Sequence, residues 1–190
     1  MINRLETLYR RLLCKLLKLE MWHAVGRDRH LYRDDIIQEL DRSDAKTIIE
    51  FGCGLGDIIC RTSKVGVASD LSSRVLIAAR FSYPWVWLSG RIKFRKLSLD
   101  SELDDIYDII VAVNFIHHIR PTDLRSIFKR LYDKNLATGG VLIFDLVDNE
   151  SYEVNHNLEF LTEDLRGEVT IRSGYEFGRQ VVSFRKGEAD

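Results

Sequence analysis

A glycine-rich loop with an acid at each end is the segment of this sequence best suited to chemistry. It reads E-F-G-C-G-L-G-D from Glu50 to Asp57, with glycines at every second position: Gly52, Gly54 and Gly56. Glycines let a backbone turn tightly and approach a ligand without Cβ clashes. The spacing differs from the G-x-G-x-x-G pattern that seats a pyrophosphate, and carboxylates at both ends would repel one. The loop therefore favours a ligand that carries an ammonium group.

Asp70 is the next acid whose position suggests a ligand contact. It ends the strand-like run K-V-G-V-A-S-D, 20 residues after Glu50. An acid at that point of an open α/β sheet can accept hydrogen bonds from both hydroxyls of a ribose. With the glycine loop, it predicts a site for an adenosine-type ligand with a positively charged tail. Asp57 by itself also fits a first-turn helix acid stabilised by the helix dipole.

The elements that must position these residues alternate along the chain. Five apolar runs are typical of strands, and helical segments separate most of them, including one over residues 56–63 after the glycine loop. This order predicts an α/β fold with a doubly wound, Rossmann-like parallel sheet and helices on both faces. Residues 167–186 predict an antiparallel C-terminal hairpin, which gives about seven strands. We expect an N-terminal helical cap or lid over residues 1–41 and a ligand-binding domain over residues 42–190.

Over residues 46–147 the sequence resembles the class I S-adenosylmethionine-dependent methyltransferases. Four segments carry the resemblance, in the family's order and spacing: E-F-G-C-G-L-G, G-V-A-S-D-L-S, Y-D-I-I-V-A-V-N-F-I-H-H-I and L-A-T-G-G-V-L-I-F-D. They are similar to the family's first motif, its second-strand motif with the ribose acid, its fourth-strand motif and the turn into its fifth strand. The resemblance implies S-adenosyl-L-methionine as cofactor and transfer of its methyl group to an acceptor.

The resemblance also implies which residues contact the methionine end of the cofactor. Glu50 would hold the methionine ammonium, directly or through water. Asn114 would place its backbone near the methionine. The methionine and ribose would be lined by the loop residues Gly52, Cys53, Gly54 and Gly56.

At the adenosine end, the resemblance implies a further set of contacts. Asp70 would accept the ribose hydroxyls, and Leu71 would lie against the adenine. The family's adenine-contacting acid falls on Ser98, whereas this chain has its acid two residues later at Asp100. Either residue is a candidate for the adenine amino group, and Leu99 between them is a candidate for the edge or face of the ring.

Three histidines are candidates for proton transfer. Methyl transfer from a sulfonium is an in-line displacement, and a base is needed only when the nucleophile arrives protonated. His117 and His118 follow the fourth strand, where the acceptor is expected, and His118 aligns with the more usual family histidine. His23 lies in an N-terminal segment that closes over the cofactor in many family members. Each of the three also fits a structural role, in a loop or at a packed helix end.

The N-terminal segment is both amphipathic and basic. Residues 1–33 carry eight basic and three acidic groups, and leucines recur at helical spacing: Leu5, Leu8, Leu12, Leu16 and Leu19. Such a helix can lie weakly on an anionic membrane surface, or it can pack on the domain with its cations in solvent. An aromatic cluster likewise fits either an interface or core packing: Tyr83, Trp85 and Trp87.

Composition excludes several classes of protein. The 190 residues carry a net charge of −1, from 28 basic and 29 acidic groups, so no nucleic-acid partner is expected. Three cysteines without a C-x-x-C spacing predict buried thiols rather than a disulfide framework or a metal site. No apolar run reaches the ~20 residues of a membrane span. The first residues lack the features of a signal peptide, so we expect a cytoplasmic protein.

These features favour a methyltransferase that acts on a small molecule, at oxygen or nitrogen, such as a sugar or another biosynthetic intermediate. Room for the acceptor is expected between the N-terminal helices and residues 150–166. Where base-amino-methylating family members often carry an N/D-P-P-Y/F motif, this chain reads N-F-I-H from Asn114. Two alternatives stay open: an RNA or protein methyltransferase that uses the basic N-terminal segment, and a non-catalytic cofactor-binding scaffold. The sequence makes no prediction about oligomeric state.

Overall fold

A seven-stranded sheet forms the centre of the protein in a computed structural model, which describes residues 2–24, 30–149, 152 and 154–187. The strands are β1 (Thr47–Phe51), β2 (Val65–Ser69), β3 (Ile92–Arg95), β4 (Tyr107–Ala112), β5 (Leu136–Leu146), β6 (Gly167–Arg172) and β7 (Gln180–Lys186). Their order is β3-β2-β1-β4-β5-β7-β6. Neighbours from β3 to β5 pair in parallel, whereas β7 is antiparallel to β5 and β6. The predicted Rossmann-like sheet with its antiparallel C-terminal hairpin is confirmed.

Helices cover both faces of this sheet. They are α1 (Ile2–Leu16), α2 (Leu31–Arg42), α3 (Ser73–Ser82), α4 (Pro84–Leu88), α5 (Pro121–Lys134) and α6 (Leu158–Thr162). Because side chains alternate along a strand, Ile109 and Val111 of β4 join the core under α2 and α3, whereas Ile110 packs in the core under α5. The predicted two-sided arrangement is confirmed.

The helix expected over residues 56–63 is absent, and this prediction is wrong. A single 3-10 turn at Ile59–Arg61 connects the glycine loop to β2. The Arg91 guanidinium donates hydrogen bonds to the carbonyls of Cys60 and Lys64, the second at 2.8 Å. The bond to Cys60 satisfies a carbonyl within the segment where the helix was expected.

α1 packs on the domain through an unexpected side. Arg10 and Cys14 are buried, whereas the leucine stripe of the helix lies in solvent. The helix ends at Leu16, so the predicted Leu19 lies beyond it. α1 thus packs on the domain, as one of the two alternatives expected, but Arg10 is buried rather than in solvent because it pairs with Asp57 on the packed side.

Two other expectations about side chains have clear outcomes. Trp85 and Trp87 are exposed on α4, so core packing is wrong for both. All three cysteines are buried free thiols, as predicted.

Within the described ranges, no helix is long and apolar enough to cross a membrane. The boundary between residues 41 and 42 stays a prediction, and residues 25–29, 150, 151 and 153 of the expected cap and acceptor region lie outside the described residues.

Candidate functional site

A crevice opens at the carboxyl ends of β1 and β4, where the strand order reverses direction. This is the place where open α/β sheets bind ligands. The crevice has two halves, which share Gly52, Asp70 and Phe115. The inner half is a cavity of about 110 Å³ between the glycine loop and the segment around Trp22. The outer half is a cavity of about 540 Å³ that extends to Leu99.

The glycine loop has a backbone that only glycines adopt readily. The φ angles of Gly52, Gly54 and Gly56 are +61°, +53° and +83°, in the left-handed region that L side chains avoid. A Cβ on Gly52 would lie 2.6 Å from the Phe115 ring. At Gly54, the nearest atom to such a Cβ is His23 Nδ1 at 3.8 Å. Gly54 therefore leaves open the space of the inner half.

Glu50 is a buried acid in the wall of the inner half. Its side chain is 3% exposed, and Oε2 accepts a hydrogen bond from the Ile59 amide at 2.9 Å. Burial raises the pKa of Glu50 to about 8, although the Ile59 amide and the charge of Arg33 oppose the shift. A cation placed against this carboxyl would favour its ionised form. The residue therefore suits an ammonium ligand, as the resemblance implies.

Asp57, the acid at the other end of the loop, is committed to arginines. Arg10 donates to both of its oxygens at 3.0 and 2.5 Å, and Arg33 donates to Oδ2 at 2.9 Å. Burial opposes ionisation of Asp57, but the Arg10 and Arg33 interactions outweigh it and hold its pKa below the ordinary value. Asp57 also lines the inner half, and its ion pairs tie α1 and α2 to the loop. No α-helix follows it, so the interpretation as a first-turn helix acid is wrong. Contact between Asp57 and a cationic ligand stays a prediction.

Asp70 lies at the rim shared by the two halves. Its Oδ1 accepts a hydrogen bond from the Ser72 amide at 2.9 Å, and its Oδ2 accepts one from the Gly54 amide at 3.3 Å. The carboxylate thus holds the glycine loop against the end of β2. Leu71, directly after it, is exposed and lines the outer half.

The outer half contains both alternatives for the adenine contact. Ser98 Oγ donates a hydrogen bond to Asp100 Oδ1, so the two side chains meet. Leu99 between them is buried, and all three residues line the cavity. A ligand in this half can therefore contact Ser98 and Asp100 together, although the sequence presented them as alternatives.

Asn114 lines the inner half, and a hydrogen-bond network that the sequence did not predict holds it there. Its φ is +67°, and its amide donates to Asp145 Oδ1 at 2.7 Å. The Arg179 guanidinium pairs with Asp145, donates to Asn114 Oδ1 at 2.9 Å and lies 4.6 Å from the centre of the Tyr32 ring. Buried charges require partners, but a pairing between β5 and the turn before β7 has no local signal in the sequence.

The three candidate histidines lie in different places. His23 lines the inner half and stacks on Trp22, with ring centres 3.6 Å apart, and burial lowers its pKa. His118 lines the outer half. His117 lines neither half and stacks on Tyr152 at 3.9 Å. Burial, with the neighbouring His118 and Arg179, lowers the pKa of His117 to about 4.

Metal chemistry has no evident site in the described part of the chain, where no three His, Cys, Asp or Glu residues are grouped to hold an ion. The crevice instead combines a buried acid, an open glycine loop and a rim carboxylate. Such a set can bind an organic cation that carries a nucleoside.

Comparisons with solved structures give the same fold in several methyltransferases. An O-methyltransferase family protein from Burkholderia thailandensis has a TM-score of 0.67 at 14% identity, over 84% of this chain and 57% of that one. The N-methyltransferase NodS from Bradyrhizobium japonicum WM9 has a TM-score of 0.66 at 19% identity, over 85% and 96%. Magnesium protoporphyrin IX methyltransferase (ChlM) from Synechocystis PCC 6803 with bound S-adenosylmethionine has a TM-score of 0.67 at 15% identity, over 83% and 79%.

Sequence comparison supplies the family. This chain spans little more than half of the Burkholderia protein, and no curated protein matches it significantly. A family model described as a methyltransferase domain matches residues 21–177. Since that match covers most of the chain, the protein belongs to the methyltransferase-domain family, with the fold of the class I enzymes that use S-adenosylmethionine.

Proposed function

We propose that the protein transfers the methyl group of S-adenosylmethionine to a small-molecule acceptor, at an oxygen or a nitrogen. The supporting observation is the narrow inner half of the crevice. Trp22, His23 and Phe115 are among the residues that line a cavity of about 110 Å³ beside the glycine loop. With the methionine of the cofactor in this cavity, an acceptor has to approach the methyl group through the cavity opening, so it has to be small or has to present a slender group.

In this proposal the methionine end occupies the inner half. Glu50 meets the ammonium, and Gly54 provides the space that a side chain would fill. Arg33 lines the same half and offers a positive charge to the methionine carboxylate. Asn114, held by Asp145 and Arg179, presents its backbone there.

The nucleoside occupies the outer half. Asp70 accepts the ribose hydroxyls at the shared rim, and Leu71 and Leu99 contact the adenine. The hydrogen-bonded Ser98 and Asp100 face its amino group. The size of this half, about 540 Å³, is in the range of ligand cavities and accommodates a nucleoside.

Bound S-adenosylmethionine supplies an activated methyl group, which leaves its sulfonium by in-line displacement. The residues of the chain then have to orient the acceptor and exclude water, and orientation can contribute ~7–11 kcal/mol. If the acceptor arrives protonated, a neutral imidazole can take the proton. Burial lowers the pKa of His23, which favours the neutral form beside the inner half. The pKa of His117 is lowered as well, but His117 lines neither half and His118 lines the outer half. We favour His23 because it is the candidate beside the methionine end.

Cofactor binding should strengthen as the pH rises through the pKa of Glu50. Below the pKa of about 8, Glu50 is largely protonated in the free protein and has to lose its proton to meet an ammonium. Between pH 8 and pH 6, the Kd for S-adenosylmethionine should rise about tenfold per pH unit. Isothermal titration in two buffers of different ionisation enthalpy should detect about one proton released at pH 7.

Glu50→Gln is the matched control for this pH dependence. It keeps the size of the side chain but removes the carboxyl, so the variant should release no proton and show a flat pH profile. A wild-type Kd that does not change over the same range would contradict the assignment of Glu50 to the ammonium.

Asp70→Ala should weaken cofactor binding through the ribose. Loss of hydrogen bonds to a charged acceptor costs about 1.5–3 kcal/mol, which corresponds to a roughly 10–100-fold higher Kd. Titration of S-adenosylhomocysteine should show the same loss, because it carries the same ribose. Asp104→Ala, in the exposed loop before β4, should leave both affinities unchanged. Equal binding by the Asp70→Ala variant and the parent would remove Asp70 from the site.

The acceptor class is tested by transfer of label. The full chain is incubated with methyl-labelled S-adenosylmethionine and, separately, with the small-molecule, RNA and protein fractions of a cell extract. We expect label only in the small-molecule fraction, with formation of S-adenosylhomocysteine. Label on RNA or protein would replace this proposal with a macromolecular acceptor. Cofactor binding without transfer to any fraction would favour the scaffold alternative.

A further inference from the structure

α1 turns its leucines away from the protein. Leu5, Leu8, Leu12 and Leu16 are 68%, 65%, 54% and 70% exposed. Their spacing places them on one face of the helix, opposite the buried Arg10 and Cys14. A continuous apolar stripe therefore runs along the outside of the whole helix, and exposed patches of this kind mark interaction sites.

Positive charge follows one edge of this stripe. Arg4, Arg11 and Lys15 are exposed, and they too recur at helical spacing. Glu6 is the only acid in the α1 sequence, and it pairs with Arg10 at 3.2 Å. Within the described residues, no ion pair involves Arg4, Arg11 or Lys15. We call the four leucines and these three cations the docking surface.

Further exposed apolar residues lie beside the docking surface. The Tyr9 hydroxyl donates a hydrogen bond to the Phe81 carbonyl at 3.1 Å, so α1 borders the end of α3. Phe81 is exposed, and Trp85 on the following α4 is 81% exposed. Tryptophan is typical of the interface between lipid and water.

We propose that the docking surface holds the protein on an anionic lipid bilayer. Leucines would enter the boundary between headgroups and acyl chains, and the cations would meet lipid phosphates. This is peripheral binding, since α1 lies on the surface rather than across the membrane. A second copy of the chain fits less well, because α1 offers no row of acids to face the three cations.

The same helix connects the docking surface to the crevice. On its opposite side Arg10 donates to Asp57 at the end of the glycine loop. After α1, the chain continues into Trp22 and His23, which line the inner half. The helix that would contact the lipid is therefore tied directly to the glycine loop.

Vesicle co-sedimentation with the full chain tests this inference. One set of vesicles contains phosphatidylcholine alone, and the other contains equal amounts of phosphatidylcholine and phosphatidylglycerol. We expect binding to the anionic vesicles, weakening with added salt. The double variant Leu8→Asp, Leu12→Asp should lower the partition coefficient about tenfold or more. The charge variant Arg11→Gln, Lys15→Gln should lower it by a similar factor.

Val169→Asp with Ile171→Asp is the matched control, because it changes two exposed apolar residues on the edge strand β6. It should bind vesicles like the parent. All variants should keep the circular dichroism and cofactor affinity of the parent, which separates loss of docking from loss of the active fold. Wild-type protein that sediments with neither vesicle would overturn the inference. The inference would also be overturned if the wild-type protein were a dimer and the leucine variant were a monomer that no longer binds vesicles, because the leucines would then hold two copies together.

Discussion

Gly54→Val is expected to abolish binding of S-adenosylmethionine. The substitution places a branched side chain in the opening of the inner half, where the cavity measures about 110 Å³ and the nearest atom to an added Cβ is His23 Nδ1. It also forces a non-glycine residue to a φ of +53°. We expect the Kd to rise by about 100-fold or more, a loss of about 2.7 kcal/mol. Isothermal titration at millimolar cofactor measures it.

A control variant has to separate the effect of backbone strain in Gly54→Val from the effect of filling the cavity. Gly90 has a φ of +69° with no heavy atom within 4 Å of an added Cβ. Gly90→Val therefore imposes a similar strain far from the crevice, and we expect it to lower the melting temperature without changing the Kd. If the two variants bound the cofactor equally well, the glycine loop would not be the cofactor site.

Asp57→Ala is expected to destabilise the protein strongly. It leaves the Arg10 guanidinium, 2% exposed, without its two shortest hydrogen bonds and removes the partner of Arg33. Breaking a buried pair in this way costs about 3–5 kcal/mol. For a protein of this size, we expect the melting temperature to fall by about 10 °C. Differential scanning calorimetry gives the value directly.

The surface pair Lys129–Asp133 provides the control for this loss. Asp133→Ala should change the stability by less than about 1 kcal/mol, because exposed pairs contribute little. The double variant Arg10→Ala, Asp57→Ala should lose less than the sum of the single variants, since neither partner is then left alone. Strict additivity would show that the pair does not link α1 to the glycine loop.

The Arg10–Asp57 pair also predicts how the stability of the protein depends on pH. The Asp57 pKa in the folded protein lies below its ordinary value of 3.8. Its contribution to the free energy of unfolding is therefore complete at neutral pH and is lost as the pH falls through the folded pKa. The stability of the Asp57→Ala variant should change less with pH in this acidic range than that of the parent.

The sheet could be predicted from sequence because its signals are local. Short β-branched runs alternate with helical segments, and the run from Ile109 to Ala112 is apolar on both faces, as a central parallel strand requires. The glycine loop and Asp70 follow two such runs, and parallel neighbours bring their ends to one edge. The location of the crevice therefore follows from strand order alone.

The roles of the charged residues required the tertiary structure. Glu50 and Asp57 look alike in sequence, one before the loop and one after it. Both acids line the inner half, but Arg10 and Arg33 reach Asp57 from helices distant along the chain, whereas Glu50 accepts a hydrogen bond from the nearby Ile59 amide. Pairing between distant segments leaves no pattern in a single sequence, so the sequence could not show which of the two acids is paired with arginines.

The orientation of α1 likewise separates what the sequence determines from what tertiary contacts determine. Periodicity determined that the segment is an amphipathic helix, because leucine spacing reflects helix geometry and nothing else. Which side of the helix faces the domain depended on a partner for Arg10, since a buried guanidinium requires a carboxylate. The sequence by itself determined the elements and the edge where their ends meet. Tertiary contacts decided which side chains face the crevice, which are held by other charges and which lie in solvent.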